Sequence, residues 1–363
     1  VKVGYFAPLP PALTGVADYA RRLLGELRRF GVVEVNASRA DVFLYHLGNN
    51  QLHREVYDRA LQRPGAVVLH DAVLHHFFLG ALDRRQYIEE FVYNYGEWAR
   101  GLAERLWEGR ARSAQDPRYF RYPMLRRIAE TSRAVIVHNP AAARMVREHR
   151  AAARVVEVPF PVWRPAAPPE CELVRWRKQA GVGLRTVLFG VFGHLRESKR
   201  LSAVLRAYRE VQRVGAPAAL LVAGRFQSEE LERAMAPRLE GVIRAEGLSD
   251  AEFWKLAAAC DVVVNLRYPA AGESSGVGMT AMGLGKAVLF SATEETSSLP
   301  SDACLHIEPG LGEQASLVEH MIWLATFPEH ARQIGQRAAA WVREHHAPEV
   351  VAQRYWELLR ALI

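Results

Sequence analysis

Short runs of apolar, often β-branched residues alternate along the chain with longer stretches whose apolar positions recur at helical spacing. This is the pattern of parallel sheets wrapped by helices. Strands are predicted at Val1–Ala7, Asp41–His46, Ala66–His70 and Ala134–His138, with another ending near Val158. Thr186–Phe192, Ala218–Ala223, Asp261–Leu266 and Ala287–Phe290 follow. A helix is predicted from about Asp18 to Phe30. It gathers Ala20, Leu23, Leu24, Leu27 and Phe30 on one face, with Arg21, Arg22, Arg28 and Arg29 largely elsewhere. Further helices begin near Lys199 and Asp250, and helical, charge-rich sequence runs from Glu313 onward, punctuated by Pro328 and Pro348. The last helix, Val350–Ile363, is amphipathic through Val351, Tyr355, Leu358, Leu359 and Leu362 and must pack on something.

One stretch, Arg84–Arg133, breaks the alternation. It has helical periodicity but no strand, and it is rich in aromatics: Tyr87, Phe91, Tyr95, Trp98, Trp107, Tyr119, Phe120 and Tyr122. The first four repeat at helical spacing and read as a core stripe, with a sugar- or lipid-facing groove as the alternative. The segment from Val158 to Pro169 carries five prolines, cannot be regular helix, and reads as a linker. It divides the chain into a first domain at 1–163, with a helical insertion at about 84–133, and a second at 164–346. A final helix at 347–363 is left over. Crevices at the carboxyl ends of parallel strands are where such sheets bind ligands, so a ligand site is expected in the crevice between the halves.

Composition narrows the class. A chain of 363 residues, half of them apolar, is comfortable as two domains and is not disordered. No apolar run approaches the ~20 residues of a membrane span. The opening run reads as a strand and not as a signal peptide. Cys171, Cys260 and Cys304 are scattered without ligand spacing, so a reducing cytoplasm is expected and a metal site is not. The net charge of +7, from 47 basic against 40 acidic residues, suits anionic partners such as nucleotide phosphates or an acidic membrane surface. The arginines of the first helix could touch anionic lipid at the inner face of a membrane, beside the plainer reading of a solvated face. No recognition-helix pattern or basic tract makes nucleic acid a partner.

Four segments could carry chemistry. Pro8-Leu-Pro-Pro-Ala-Leu-Thr-Gly-Val-Ala-Asp18 ends the first strand. Thr14 and Gly15 sit just ahead of a helix whose free N–H groups form an anion site, unless Thr14 or Asp18 merely caps it. Gly190-Val-Phe-Gly-His-Leu-Arg-Glu-Ser-Lys-Arg200 is a strand, a glycine turn and then cations. Lys199, with Arg196 or Arg200, could neutralise a diphosphate leaving group, or the segment could be a solvated charge cluster. In Leu266-Arg-Tyr-Pro-Ala-Ala-Gly-Glu-Ser-Ser-Gly276, Glu273 is the one acid of a loop entering a helix. Ser274, Ser275 and Gly276 suit a first turn that presents N–H groups to phosphate, and Gly283 and Gly285 would end that helix. In His70-Asp-Ala-Val-Leu-His-His76, His70 closes a strand and is a ligand or acid–base candidate. The spacing of His70, His75 and His76 does not match a helical zinc pair, and His75 and His76 read as structural.

Taken in order, these segments resemble the large family of retaining glycosyltransferases with the GT-B fold, often called group 1 or family 4. The resemblance spans essentially the whole chain and rests on Pro10-Pro-Ala-Leu-Thr-Gly-Val-Ala-Asp-Tyr19, Val68-Leu-His-Asp71, Phe192-Gly-His-Leu-Arg-Glu-Ser-Lys-Arg-Leu201 and Arg267-Tyr-Pro-Ala-Ala-Gly-Glu-Ser-Ser-Gly276. It implies two Rossmann-like domains with a cleft between them, the second binding a nucleotide sugar and the first a glycan, lipid-linked or small-molecule acceptor. It further implies that the last helix crosses back to the first domain. Glu273 then matches the first acid of the family's paired-glutamate motif, which contacts the transferred sugar. Lys199 matches the lysine that grips the donor diphosphate, His70 the histidine near the reacting carbon, and Gly15 the glycine of the first loop. Gly193, His194 and Arg196 line the second motif. Transfer with retention would need neither a cofactor nor a metal, the nucleotide-diphosphate sugar being a substrate.

The match departs from the family at two places. His194 stands where the family usually has arginine, leaving Arg196 as a substitute. The second glutamate, which commonly holds the ribose, should fall near Thr280 or Ala281, and neither is acidic. A shell that binds a sugar nucleotide or glycan with weakened turnover is the alternative these departures raise.

Overall fold

The computed structural model describes residues 1–12 and 14–363; Leu13, within the first motif, lies outside the described residues. By packing, the chain separates into two compact units. Unit 1 comprises Val1–Pro161, Pro269–Ser274 and His346–Ile363, and unit 2 comprises Val162–Tyr268 and Ser275–His345. Pro269–Ser274, although inside the second half of the sequence, packs with unit 1.

Unit 1 is built on six parallel strands, β1 (Lys2–Phe6), β2 (Val32–Val35), β3 (Val42–Leu47), β4 (Ala66–Leu69), β5 (Ala134–Val137) and β6 (Val155–Glu157), in the order β2-β1-β3-β4-β5-β6. β4 and β5 are buried at every residue and read as unbroken apolar runs, as befits strands covered on both faces. The first helix, Gly15–Leu27, buries Ala20, Leu23, Leu24 and Leu27. It starts three residues earlier than its pattern predicts because Thr14 caps it, the hydroxyl accepting from the Ala17 N–H at 3.1 Å. The C-terminal helix, Pro348–Arg360, packs beside it and brings Tyr355 to within 2.9 Å of the Tyr19 hydroxyl.

Within the aromatic stretch, Tyr87, Phe91 and Tyr119 are fully enclosed and form the core of the helical insertion. Trp98 does not join them. Gly96 ends the Arg84–Tyr95 helix, so the heptad-like spacing stops there and Trp98 is 82% exposed.

Unit 2 has six further parallel strands, β7 (Val187–Phe192), β8 (Ala218–Ala223), β9 (Ile243–Ala245), β10 (Val262–Asn265), β11 (Ala287–Ser291) and β12 (Leu305–Ile307), in the order β12-β11-β10-β7-β8-β9. The central strands β7 and β10 are wholly buried. In both units the order reverses beside the first strand, which opens a switch point at the carboxyl ends of the sheet. No helix among the described residues is long and apolar enough to cross a membrane.

Candidate functional site

In unit 2 the site is built around the turn that follows β7. Gly193 adopts φ +97° and its N–H bonds the Ala223 carbonyl at 3.0 Å. Gly224, at the end of the neighbouring β8, lies so close that any side chain there would overlap the Gly193 carbonyl. Two strand ends are thereby brought together without side chains between them, leaving bare backbone facing the cations that follow. Lys199 is only 7% exposed and donates from Nζ to the Phe192 carbonyl at 2.7 Å. A methyl group on Gly193 would sit 3.5 Å from Lys199 Nζ and 3.7 Å from Val277 Cγ2. The space over Gly193 is thus bounded by an ammonium on one side and by the first turn of the Gly276–Gly283 helix on the other.

That helix is capped by Ser275, whose hydroxyl accepts from the Gly278 N–H at 3.2 Å and donates to Asn265 Oδ1 at 3.1 Å. Asn265 is buried at the end of β10 and fixes the cap. Arg267, two residues on, brings its guanidinium to 3.4 Å from the same hydroxyl. His194 is exposed and pairs with Gln227 at 3.2 Å. Partial burial, then Arg196, Lys199 and Arg225, hold its imidazole below the usual range. The strand ends of unit 2 therefore gather Lys199, Arg196 and Arg225 beside a helix N-terminus, an arrangement that favours a multiply charged anion.

Arg200 is not part of this group. It turns away to make a two-point ion pair with Glu313, which is 3% exposed, and so ties the start of the Leu201–Arg213 helix to the Glu313–Thr326 helix. Thr280 is buried in the second turn of the Gly276–Gly283 helix, and Ala281 is fully enclosed. Neither side chain presents a carboxylate or an open surface.

In unit 1 the candidate residues meet at the carboxyl ends of β3, β4 and β5. A histidine stands at the end of each strand: His46 is the last but one residue of β3, and His70 and His138 directly follow β4 and β5. His46 Nδ1 lies 2.9 Å from His70 Nε2, and the two rings stack with centroids 5.2 Å apart. His138 donates from Nδ1 to the Val158 carbonyl at 2.8 Å, so in its neutral form Nε2 accepts, and it does so from the Tyr19 hydroxyl at 3.1 Å. Tyr19 in turn accepts from Tyr355 of the C-terminal helix. Burial is the first cause that keeps these imidazoles uncharged. It holds His46 at about 3 and His138 at about 4. His70 is pushed well below its ordinary value, with His46, His138 and His53 adding to the effect.

The Pro269–Ser274 loop docks against these strand ends. The Ala72 and Val73 N–H groups both bond the Ala271 carbonyl, at 2.8 and 3.0 Å. Asn139 donates from Nδ2 to the Gly272 carbonyl at 3.0 Å and to Ser274 Oγ at 3.2 Å. Its Oδ1 meanwhile caps the Pro140–His149 helix. Gly272 has φ +72°, and a Cβ there would come 2.6 Å from the Ala72 Cβ. Glu273 folds back so that Oε2 accepts from the Ala271 N–H at 2.6 Å, and Ser274 Oγ donates to the His138 carbonyl at 3.3 Å. The loop bearing Glu273 thus lies two residues from His70 along one edge and against His138 along the other. Gly15 opens the first helix, and no described residue lies within 4 Å of where its Cβ would be. Thr14 spends its hydroxyl on the cap.

Of the sequence candidates, the structure groups Gly193, His194, Arg196, Lys199, Ser275 and Gly276 in unit 2. Thr14, Gly15, His70, Glu273 and Ser274 fall in unit 1. Reading by motif missed His46, His138, Asn139 and Asn265. A signal for the first two was present, since three separate strand-like apolar runs carry a histidine at or beside their carboxyl end.

No protein-family model matches the sequence, and no curated protein sequence is significantly similar to it. Solved structures do match. Sucrose-phosphate synthase from Thermosynechococcus elongatus has a TM-score of 0.69 at 15% identity, covering 99% of this chain and 98% of that one. HepE from Anabaena in complex with UDP-glucose has a TM-score of 0.69 at 14% identity, covering 99% of both. WaaG, a glycosyltransferase involved in lipopolysaccharide biosynthesis, has a TM-score of 0.59 at 15% identity, covering 97% and 98%. At these identities the likeness establishes the fold: this chain has the two-unit α/β architecture called GT-B.

Proposed function

We propose that the chain is a glycosyltransferase that moves a sugar, with retention, from a nucleotide-diphosphate donor to a glycan, lipid-linked or small-molecule acceptor. The observation that carries this reading is the anion seat of unit 2. There the buried Lys199 Nζ and the Ser275-capped helix flank the bare turn at Gly193. A diphosphate gains charge as its bond to the sugar breaks, and fixed donors aimed at that charge lower the barrier. Lys199 and the helix N–H groups supply them, with Arg196 and His194 at the rim. The C1–O bond to the phosphate breaks and the acceptor oxygen bonds C1 on the same face. The acceptor's proton passes to the departing phosphate oxygen, so no protein nucleophile is required. Glu273 and His70 hold the transferred sugar. Among folds like this one, HepE was solved with UDP-glucose, which makes UDP-glucose the first donor to try.

Purified protein is expected to release nucleoside diphosphate from a matching donor at a rate that chelator leaves unchanged. Glu273→Ala should lower that rate by orders of magnitude. An alanine variant that turns over like the parent would remove Glu273 from the site. A second reading, a shell that binds sugar nucleotides without transfer, is favoured by the enclosed, non-acidic Thr280 and Ala281. Tight donor binding by calorimetry, with no release across a broad panel of acceptors, would favour it.

A further inference from the structure

His46 lies at the end of β3 with none of its surface exposed, and no catalytic motif includes it. The Tyr5 ring packs 4.9 Å from its own, and the Tyr19 ring 5.9 Å. Its Nε2 is buried without a hydrogen-bond partner, so His70 Nε2 is the one side-chain partner of this imidazole among the described residues. Its backbone is pinned as well, the His46 carbonyl accepting from His53 Nδ1 at 2.9 Å and the Leu47 carbonyl from the His70 N–H. The ring therefore has little freedom to move.

A neutral imidazole carries one N–H. If that proton sat on His46 Nε2, an N–H would be stranded in apolar surroundings, and orphaned buried N–H groups are rare in folded proteins. With the proton on Nδ1, His46 donates to His70 Nε2 and strands only a lone pair. His53 already tolerates this, since it must keep its proton on Nδ1 to reach a carbonyl and leaves its own buried Nε2 unpartnered. His70 Nε2 is then an acceptor, and the His70 proton is forced onto Nδ1. That nitrogen bonds no described residue, and His70 is only half-buried. We infer that His46 is a positioning residue that fixes the tautomer of His70, so that His70 presents an Nδ1–H donor to whatever occupies the site. On the proposed glycosyl transfer, on which this consequence rests, His70 holds a sugar or phosphate oxygen and does not take the acceptor's proton.

The test uses the full chain with ¹⁵N-labelled histidine and two-bond ¹H–¹⁵N correlation at pH 7.5, the His70 signals being assigned by their loss in His70→Gln. The expected pattern is a pyrrole-like Nδ1 and a pyridine-like Nε2 at His70, and the opposite pattern would overturn the inference. His46→Asn can still donate to Nε2 and should keep the pattern, whereas His46→Asp can only accept and should move the proton to Nε2. The transfer rate should then fall at least tenfold more in the aspartate variant than in the asparagine one. Equal rates and unchanged tautomers in both variants would refute the positioning role. If the aspartate variant does not fold, the parent spectrum and His46→Asn still decide. The expected tautomer in a protein without transferase activity would sink the proposed function and leave the role of His46 standing.

Discussion

Acid should loosen unit 1 at a pH that leaves ordinary domains intact. Burial is the first cause that holds His46 and His75 at about 3 and His53 and His138 at about 4. In the unfolded chain such groups titrate near ~6.5. Between those values the unfolded chain binds protons that the native unit refuses, so stability rises with pH across the window. The loss begins as the pH falls through about 6.5 and levels off only near the folded values of about 3 to 4. Each imidazole contributes at most ~1.4 kcal/mol per pH unit, so the four together approach ~5 kcal/mol per unit near pH 5. That is comparable with the whole stability of a domain, ~5–15 kcal/mol. The assay is hydrogen exchange at pH 7.5, 6.5, 5.5 and 5.0, corrected for intrinsic rates and read on peptides from β3, β4 and β5, which report unit 1 alone. His75→Gln, outside the candidate site, should reduce the slope by about a quarter. Protection that stays within ~1 kcal/mol from pH 7.5 to 5 would refute the reasoning.

Three further outcomes are expected. Asn139→Asp keeps the cap of the Pro140–His149 helix but replaces the Nδ2 donor that holds the Gly272 carbonyl and Ser274. Transfer should fall at least tenfold while the melting temperature moves by only a few degrees. Arg200→Ala leaves Glu313 enclosed without its cation and should cost unit 2 about 2–3 kcal/mol in urea unfolding, short of a fully enclosed pair because Arg200 is partly exposed. Lys199→Met should weaken nucleoside diphosphate binding at least tenfold by calorimetry, and a smaller change would move the anion seat elsewhere.

Most strand positions are legible in the sequence because the central strands are covered on both faces. Ala66–Leu69, Ala134–Val137 and Ala218–Ala223 are continuous apolar runs that few other structures would accommodate. The strands that escaped notice, β2, β9 and β12, are short ones at or near the sheet margins, with exposed or charged positions such as Val32 and Arg244. Trp98 misled because helical spacing continues past Gly96 while the helix does not. Arg200 looked like its neighbour Lys199, and only Glu313, more than a hundred residues away, separates their tasks. The packing of the Glu273 loop could not be read locally either, because Ala72 and Asn139 hold it from distant parts of the chain.

Unit 1 is stitched together from three separate lengths of polypeptide. A gene fragment ending at residue 161 would encode an unfinished object, lacking both the residues that satisfy Asn139 and the tyrosine that engages Tyr19. Recombination between relatives has the same difficulty. A single crossover at the proline-rich joint would deliver one parent's acidic loop onto the other parent's strand ends, where the fit of glycine against alanine was never tested. Working chimaeras that keep each unit whole should therefore need four junctions, at the proline-rich joint, on either side of Pro269–Ser274 and before His346, and inheritance of this fold by simple halving should be rare.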